Sequence, residues 1–328
     1  LRGQGSRKPI GFRQWVVHIC RNEKIDFILA IGGGSAIDTA KAIGVGVPYE
    51  GDVWDFYLSK DTPKKTLKTA VICTIPAAGS ESSLSSVITN EDGWYKKSIN
   101  LDLIRPVFAI INPELTFTLP AYQIGCGVVD MMTHIMERYF TNTTHVDLTD
   151  RLCEAALRSI IANGEKTLKE PENYDTRAEI VWAGTLAHNG LLNTGRVQDW
   201  ASHRIALEMS GLYDIAHGAS LSIVYPAWME YVYSHDKKRF MQFAVRVWDV
   251  DLAYGEEDEI CLEGIRRMRE FFKKLGMPLT FEDAGLPTDA FEEMADKATY
   301  GDTIPVGNFV KIGKSQMIDI YKLCTERK

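Results

Sequence analysis

An α/β domain joined to an all-helical one is the fold class this sequence predicts, and three observations predict it. Between Phe27 and Asn112, short continuous apolar runs alternate with helical stretches. Three consecutive glycines, Gly32-Gly33-Gly34, separate the first such run from the helical stretch after it. Beyond Pro120 the strand-like runs vanish and long amphipathic stretches take over. Continuous apolar strands separated by helices indicate a parallel sheet covered on its faces. The boundary is therefore expected near residue 120, with domains at 1–120 and 121–328.

Each element follows from its pattern. Phe27-Ile28-Leu29-Ala30-Ile31 reads as a buried strand, and Ser35 to Val45 as the helix after it. Ala70-Val71-Ile72-Cys73-Thr74-Ile75 is a second strand and Val107-Phe108-Ala109-Ile110-Ile111 a third. Helices are expected at roughly 125–139, 146–165, 177–192, 195–210, 217–232, 237–248, 260–275 and 288–300. Gly211, Gly276 with Pro278, and Gly285 with Pro287 are expected to stop some of them.

Composition narrows the function classes. The 328 residues are 45% hydrophobic and 25% charged, as in an ordinary globular chain of about two domains. A net charge of −7 and a pI near 5.6 argue against a nucleic-acid or anionic-membrane surface. Phosphate-bearing ligands stay open, because a few local donors suffice to bind them. The six cysteines are scattered without a C-x-x-C pair and read as reduced core residues. No segment is long and apolar enough to span a bilayer, and the cytoplasm is the expected compartment.

Two local patterns carry chemistry. In the first, the glycines of Gly32-Gly33-Gly34-Ser35 let a diphosphate approach the backbone, while the helix start offers unbonded N–H groups and a positive dipole end. A purely structural tight turn would look similar. The second strand ends in Thr74-Ile75-Pro76-Ala77-Ala78-Gly79-Ser80-Glu81, small residues where open α/β sheets bind ligands. The second pattern is Asp130 and His134 in an apolar helical run. Their i, i+4 spacing puts both side chains on one face, about 5–6 Å apart at Cβ. An unpaired charge there is costly to bury. A buried Asp–His hydrogen bond would relieve that cost. So would a divalent cation held with His203 and His217, which fall on successive helical stretches. One carboxylate and three imidazoles form a plausible ligand set for iron or zinc. The other histidines, His18, His145, His188 and His235, read as ordinary hydrogen-bonded core or surface residues.

Taken together these segments resemble the iron-containing (group III) alcohol dehydrogenase family, most of all its butanol dehydrogenase-like, NAD(P)H-dependent branch. The similarity runs from about Lys24 to the C-terminus. It rests on Ile31-Gly32-Gly33-Gly34-Ser35 with Asp38 and Lys41, Gly79-Ser80-Glu81, the stretch Asn112 to Pro120, Gly127-Val128-Val129-Asp130 with His134, Asp199-Trp200-Ala201-Ser202-His203, Tyr213 to Gly218, and Val306-Gly307-Asn308-Phe309. The resemblance implies a dehydroquinate synthase-like fold, in which an α/β nucleotide-binding domain precedes an all-α metal-binding domain. It implies Asp130, His134, His203 and His217 as ligands of Fe²⁺ or Zn²⁺. For NAD or NADP it implies Gly33, Gly34, Ser35, Asp38, Thr74, Ser80, Leu115, Thr118 and Lys96, with Lys97 an equal match for the lysine.

The chain departs from the family pattern at three places. Leu207 stands where the family usually has a histidine near the nicotinamide, thought to relay protons. Ala78 replaces a threonine. Relatives also carry a longer N-terminal part, so the first strands of the nucleotide domain are expected to be short or missing, and Leu1 to Ile10 has little strand character. The resemblance places the residue that separates NAD from NADP in that part. The expected activity is interconversion of small primary alcohols and aldehydes by a metal-dependent enzyme, expected as a homodimer. Two other readings stay open: a zinc-dependent polyol (glycerol-type) dehydrogenase, and a weakened homologue that binds nucleotide and metal without catalysis.

Overall fold

The computed structural model of the chain describes residues 10–93 and 95–325. The first region opens with helix α1 (Ile10–Asn22), strand β1 (Phe27–Gly32), helix α2 (Gly34–Gly46) and the short helix α3 (Trp54–Tyr57). Strands β2 (Lys68–Cys73), β3 (Ser85–Asn90), β4 (Tyr95–Asn100) and β5 (Ala109–Ile111) follow. β1, β2 and β5 form a parallel sheet in that order, with Gly32 opposite Cys73 and Cys73 opposite Ile111. β3 and β4 form a separate antiparallel hairpin, Ser85 opposite Asn100. Apolar residues of β1, β2 and α2 (Ala30, Val71, Cys73, Ile37 and Ala40) make one small core; Trp54, Phe56, Tyr57, Ile88, Ile99 and Ile104 make another beneath the hairpin.

The expectation of a short or missing N-terminal part is corrected here: the β-sheet region is present. Its approach to β1 is helical rather than extended. Val16, Val17 and Cys20 of α1 pack against Ile43 of α2, with Ile28 of β1 alongside, so α1 supplies a covering layer. The expected character of Leu1 to Pro9 lies outside the described residues.

Every regular element from Ala121 onward is helical among the described residues: α4 (Ala121–Tyr139), α5 (Asp147–Lys169), α6 (Tyr174–His188), α7 (Ala201–Tyr213), α8 (His217–Val232), α9 (Lys237–Trp248), α10 (Glu257–Lys274), α11 (Phe291–Thr299) and α12 (Lys314–Leu323). Gly211 was expected to end a helix, yet it is buried inside α7, which runs on to Tyr213 and stops at Asp214 in the left-handed region (φ 55°). α4 is buried along its whole length from Ile124, so it forms the axis of this region. Two glycines let it be crossed closely. A Cβ on Gly218, at the start of α8, would lie 2.0 Å from Cys126 O. A Cβ on Gly127 would lie 2.4 Å from Pro76 O, in the loop that leaves β2. The first contact brings the start of α8 within one turn of Asp130; the second seats the end of the sheet against the same stretch of α4.

All six cysteines are buried and unpaired. No helix among the described residues is long and apolar enough to cross a membrane.

Candidate active site

A cleft of about 1340 Å³ runs between the sheet region and the helical region. At one end it is lined by Gly32, Gly33, Gly34 and Ser35, and at the other by Asp130, His134, His203 and His217. Gly33 caps α2 from an extended conformation without any side-chain hydrogen bond to the first-turn amides. A Cβ on Gly34 would meet only Ala78 Cβ at 3.8 Å, so the backbone there faces open space. An anion can use such a helix start directly.

At the other end, donor atoms of Asp130, His203 and His217 lie within 4.8 Å of one another. Asp130 Oδ1, His203 Nε2 and His217 Nδ1 are buried and have no hydrogen-bond partner among the described residues. Orphaned buried polar atoms are destabilising, and three converging ones fit a divalent cation. His134 adjoins them, its Nε2 3.3 Å from Asp130 Oδ1, while His203 Nε2 is 3.9 Å from the same oxygen. Burial holds the imidazoles of His134 and His217 well below the usual histidine range, which keeps them neutral as ligands must be.

Glu137 orients this set. It lies on α4 seven residues beyond Asp130, and its side chain is fully buried. Its Oε1 accepts a hydrogen bond from His203 Nδ1 at 2.7 Å and another from the Ser202 hydroxyl. With Nδ1 protonated, His203 presents the Nε2 lone pair toward Asp130. Glu137 Oε2 also accepts from Trp200 N–H, holding Trp200 at φ 70° where α7 begins. A bulky residue in that region costs about 1–3 kcal/mol and needs such support. Asp199 extends it: its Oδ1 accepts from Asn308 and Phe309 N–H at 2.6 and 2.7 Å. Burial, then the nearby Glu137 charge, raises Asp199 to about 7.

The remaining expected contacts divide. Asp38, Thr74, Ser80, Lys96 and Leu207 line the cleft. Asp38 and Ser80 spend polar atoms internally: Ser80 Oγ donates to Asp38 Oδ1 at 2.6 Å, and Val87 N–H donates to Oδ2 at 3.0 Å. Lys41, fully buried, donates to the carbonyls of Ser80, Ser83 and Ser85 and pins the same loop. Lys96 faces the cleft, whereas Lys97 turns away and donates to Tyr300 OH. Leu115 and Thr118 do not line the cleft: Leu115 sits in a 3-10 turn (Pro113–Thr116), and both are exposed.

Sequence reading missed two residues. Glu137 had a usable signal, a third ionisable group at i+7 on the Asp130 face. His188 had none. It was read as an ordinary histidine, yet α6 ends in the cleft with its ring 4.3 Å from that of His134.

Residues 14–113 match the family described as iron-containing alcohol dehydrogenase, and residues 125–325 match the C-terminal part of the Fe-containing alcohol dehydrogenase family. The chain belongs to the iron-containing alcohol dehydrogenase family and has its two-domain fold. It is 40% identical over 306 residues to a probable NADH-dependent butanol dehydrogenase 1 of Bacillus subtilis (strain 168), covering 93% of this chain and 79% of that one. It is 37% identical over 288 residues to an NADPH-dependent aldehyde reductase of Escherichia coli (strain K12), covering 86% and 73%. The crystal structure of NADH-dependent butanol dehydrogenase A from Thermotoga maritima superposes with a TM-score of 0.95 at 34% identity, over 99% of this chain and 83% of that one.

Proposed function

We propose that this chain is a divalent-metal-dependent NAD(P)(H) oxidoreductase that interconverts small primary alcohols and aldehydes. The observation that carries the reading is the meeting, in one cleft, of an uncapped glycine-rich helix start and three orphaned donor atoms on Asp130, His203 and His217. Asp130, His134, His203 and His217 would hold Fe²⁺ or Zn²⁺, and Gly33, Gly34 and Ser35 would receive the dinucleotide's diphosphate. The cation, when bound, supplies Lewis acidity toward the substrate oxygen. The nicotinamide supplies the two-electron redox chemistry.

The chain's own groups do the rest. Glu137 fixes the His203 tautomer, so that a lone pair and not a proton faces the reacting end of the cleft. A ligand set of one carboxylate, Asp130, and the imidazoles of His134, His203 and His217 would leave a doubly charged cation with net positive charge toward the substrate oxygen. Trp200, whose ring lies 4.9 Å from that of His203, and Leu207 give apolar wall beside it. Leu207 neither donates nor accepts a proton, so the proton exchanged at the substrate oxygen must come from water or another side chain in the cleft. The test is oxidation of NADH or NADPH by butanal, with iron and with zinc, in wild type and His217→Ala. We expect metal-dependent turnover in the wild type and none in the variant. Equal turnover in both would overturn the reading.

A further inference from the structure

We propose that His188 is a positioning residue for His134 and ties this metal ligand to the β3–β4 hairpin through a directed line of hydrogen bonds. The inference rests on the reading of His134 as a ligand. His134 Nε2 is the nitrogen that faces Asp130, at 3.3 Å from Oδ1. Its other nitrogen, Nδ1, is paired with His188 Nδ1 in a hydrogen bond. Two ring nitrogens can bond only when one carries the proton and the other a lone pair. If His134 gives the Nε2 lone pair to a cation, its proton sits on Nδ1, and His188 must accept there.

The rest of the line then has one direction. With Nδ1 accepting, His188 carries its proton on Nε2, which lies 3.4 Å from Ser85 Oγ on β3. The Ser85 hydroxyl, having accepted, donates to Asn100 Oδ1 on β4. Each group has the donor and acceptor its place needs. Ser85 and Asn100 are also paired across the hairpin, so the line ends on the sheet region, at the exposed Asn100.

The surroundings hold His188 in place. The loop after β2 passes so close that a Cβ on Gly79 (φ +62°) would lie 2.7 Å from His188 Cβ and 2.9 Å from Gly184 O. The Trp200 ring lies 5.7 Å away on another side. His188 thus does for His134 what Glu137 does for His203. Such partners of ligand histidines are worth about 10–100-fold in metal affinity.

The experiment is zinc affinity by chelator competition at fixed pH for wild type, His188→Leu and His188→Asn. Asn Oδ1 can take the place of Nδ1 as acceptor; Leu cannot. Zinc binding is expected to weaken by about 10–100-fold in His188→Leu and to stay near wild type in His188→Asn. If wild type binds no zinc, the metal reading fails and this inference with it. If wild type binds zinc and His188→Leu binds it equally well, or His188→Asn is as weak as His188→Leu, the metal reading stands and the inference is overturned. Proton NMR of the cobalt-substituted wild type gives an answer independent of how any variant folds. The His134 ring N–H should exchange slowly behind His188; fast exchange contradicts the proposal.

Discussion

At position 207 the chain turns a leucine toward the cleft, one helical turn beyond His203. Losing a general acid–base costs on the order of 10²–10⁴ in rate. Leu207→His should therefore raise kcat with little change in metal content, and an unchanged kcat between pH 6 and 9 in a folded, metal-loaded variant would show that protons travel elsewhere. Gly34 allows a separate test of the cofactor turn. Its Cβ direction is open, so Gly34→Val should fold normally while its side chain obstructs the diphosphate. The KM for NADH or NADPH should rise at least about tenfold, by analogy with the loss of a few charge-assisted hydrogen bonds; unchanged affinity would contradict the assignment. At this scale the sequence was legible where spacing and residue type coincide, as for Asp130 with His134. It was silent on His188, which reaches the cleft only because α6 happens to end beside the loop at Gly79.

Helix α4 shows what an element must do to hold such a site. Buried all round, it can be approached closely by the Pro76 loop because position 127 is glycine. Gly127→Ala should force the loop away and cost about 1–3 kcal/mol, as overpacking does, read as a lower melting temperature together with weaker zinc binding. Helix α10 offers a pH test remote from the cleft. Hydrogen bonds from Arg266, opposed by burial and aided by Arg267 and Tyr254, hold Glu263 at about 2. A depressed carboxylate contributes stability that is present above its unfolded pKa and is lost as pH falls toward the folded value. Glu263→Gln should thus melt lower than wild type at pH 7, and the gap should narrow as pH falls from about 4.5 toward 2; a gap constant with pH would contradict the assignment. The long amphipathic helices and continuous strands were legible because their periods are strong. The hairpin was not: Ser85–Asn90 and Tyr95–Asn100 are mostly polar, and only Ile88 and Ile99 point into a core. α1 was not legible because strands, not a helix, are expected before the glycine turn.

For the whole molecule, two regions make one cleft, and neither holds the complete site. The sheet region brings the open helix start; the helical region brings four ligand candidates from α4, α7 and α8. The order of these segments was readable along the chain and the resemblance implied their convergence, but the means was not readable, since it depends on Gly218 letting α8 begin against α4. The coupling between the regions through Gly79 and the Ser85–His188–His134 line is likewise a property of the packed structure alone. Asp130, His134, His203 and His217 are proposed to hold a divalent cation on which turnover depends. The most direct measurement is butanal-dependent oxidation of NADH and NADPH, with metal content determined on the same sample, before chelation, after it, and after zinc or iron is restored. Activity is expected to fall with bound metal and to return with it at about one cation per chain. Turnover that persists in a metal-free sample would contradict it.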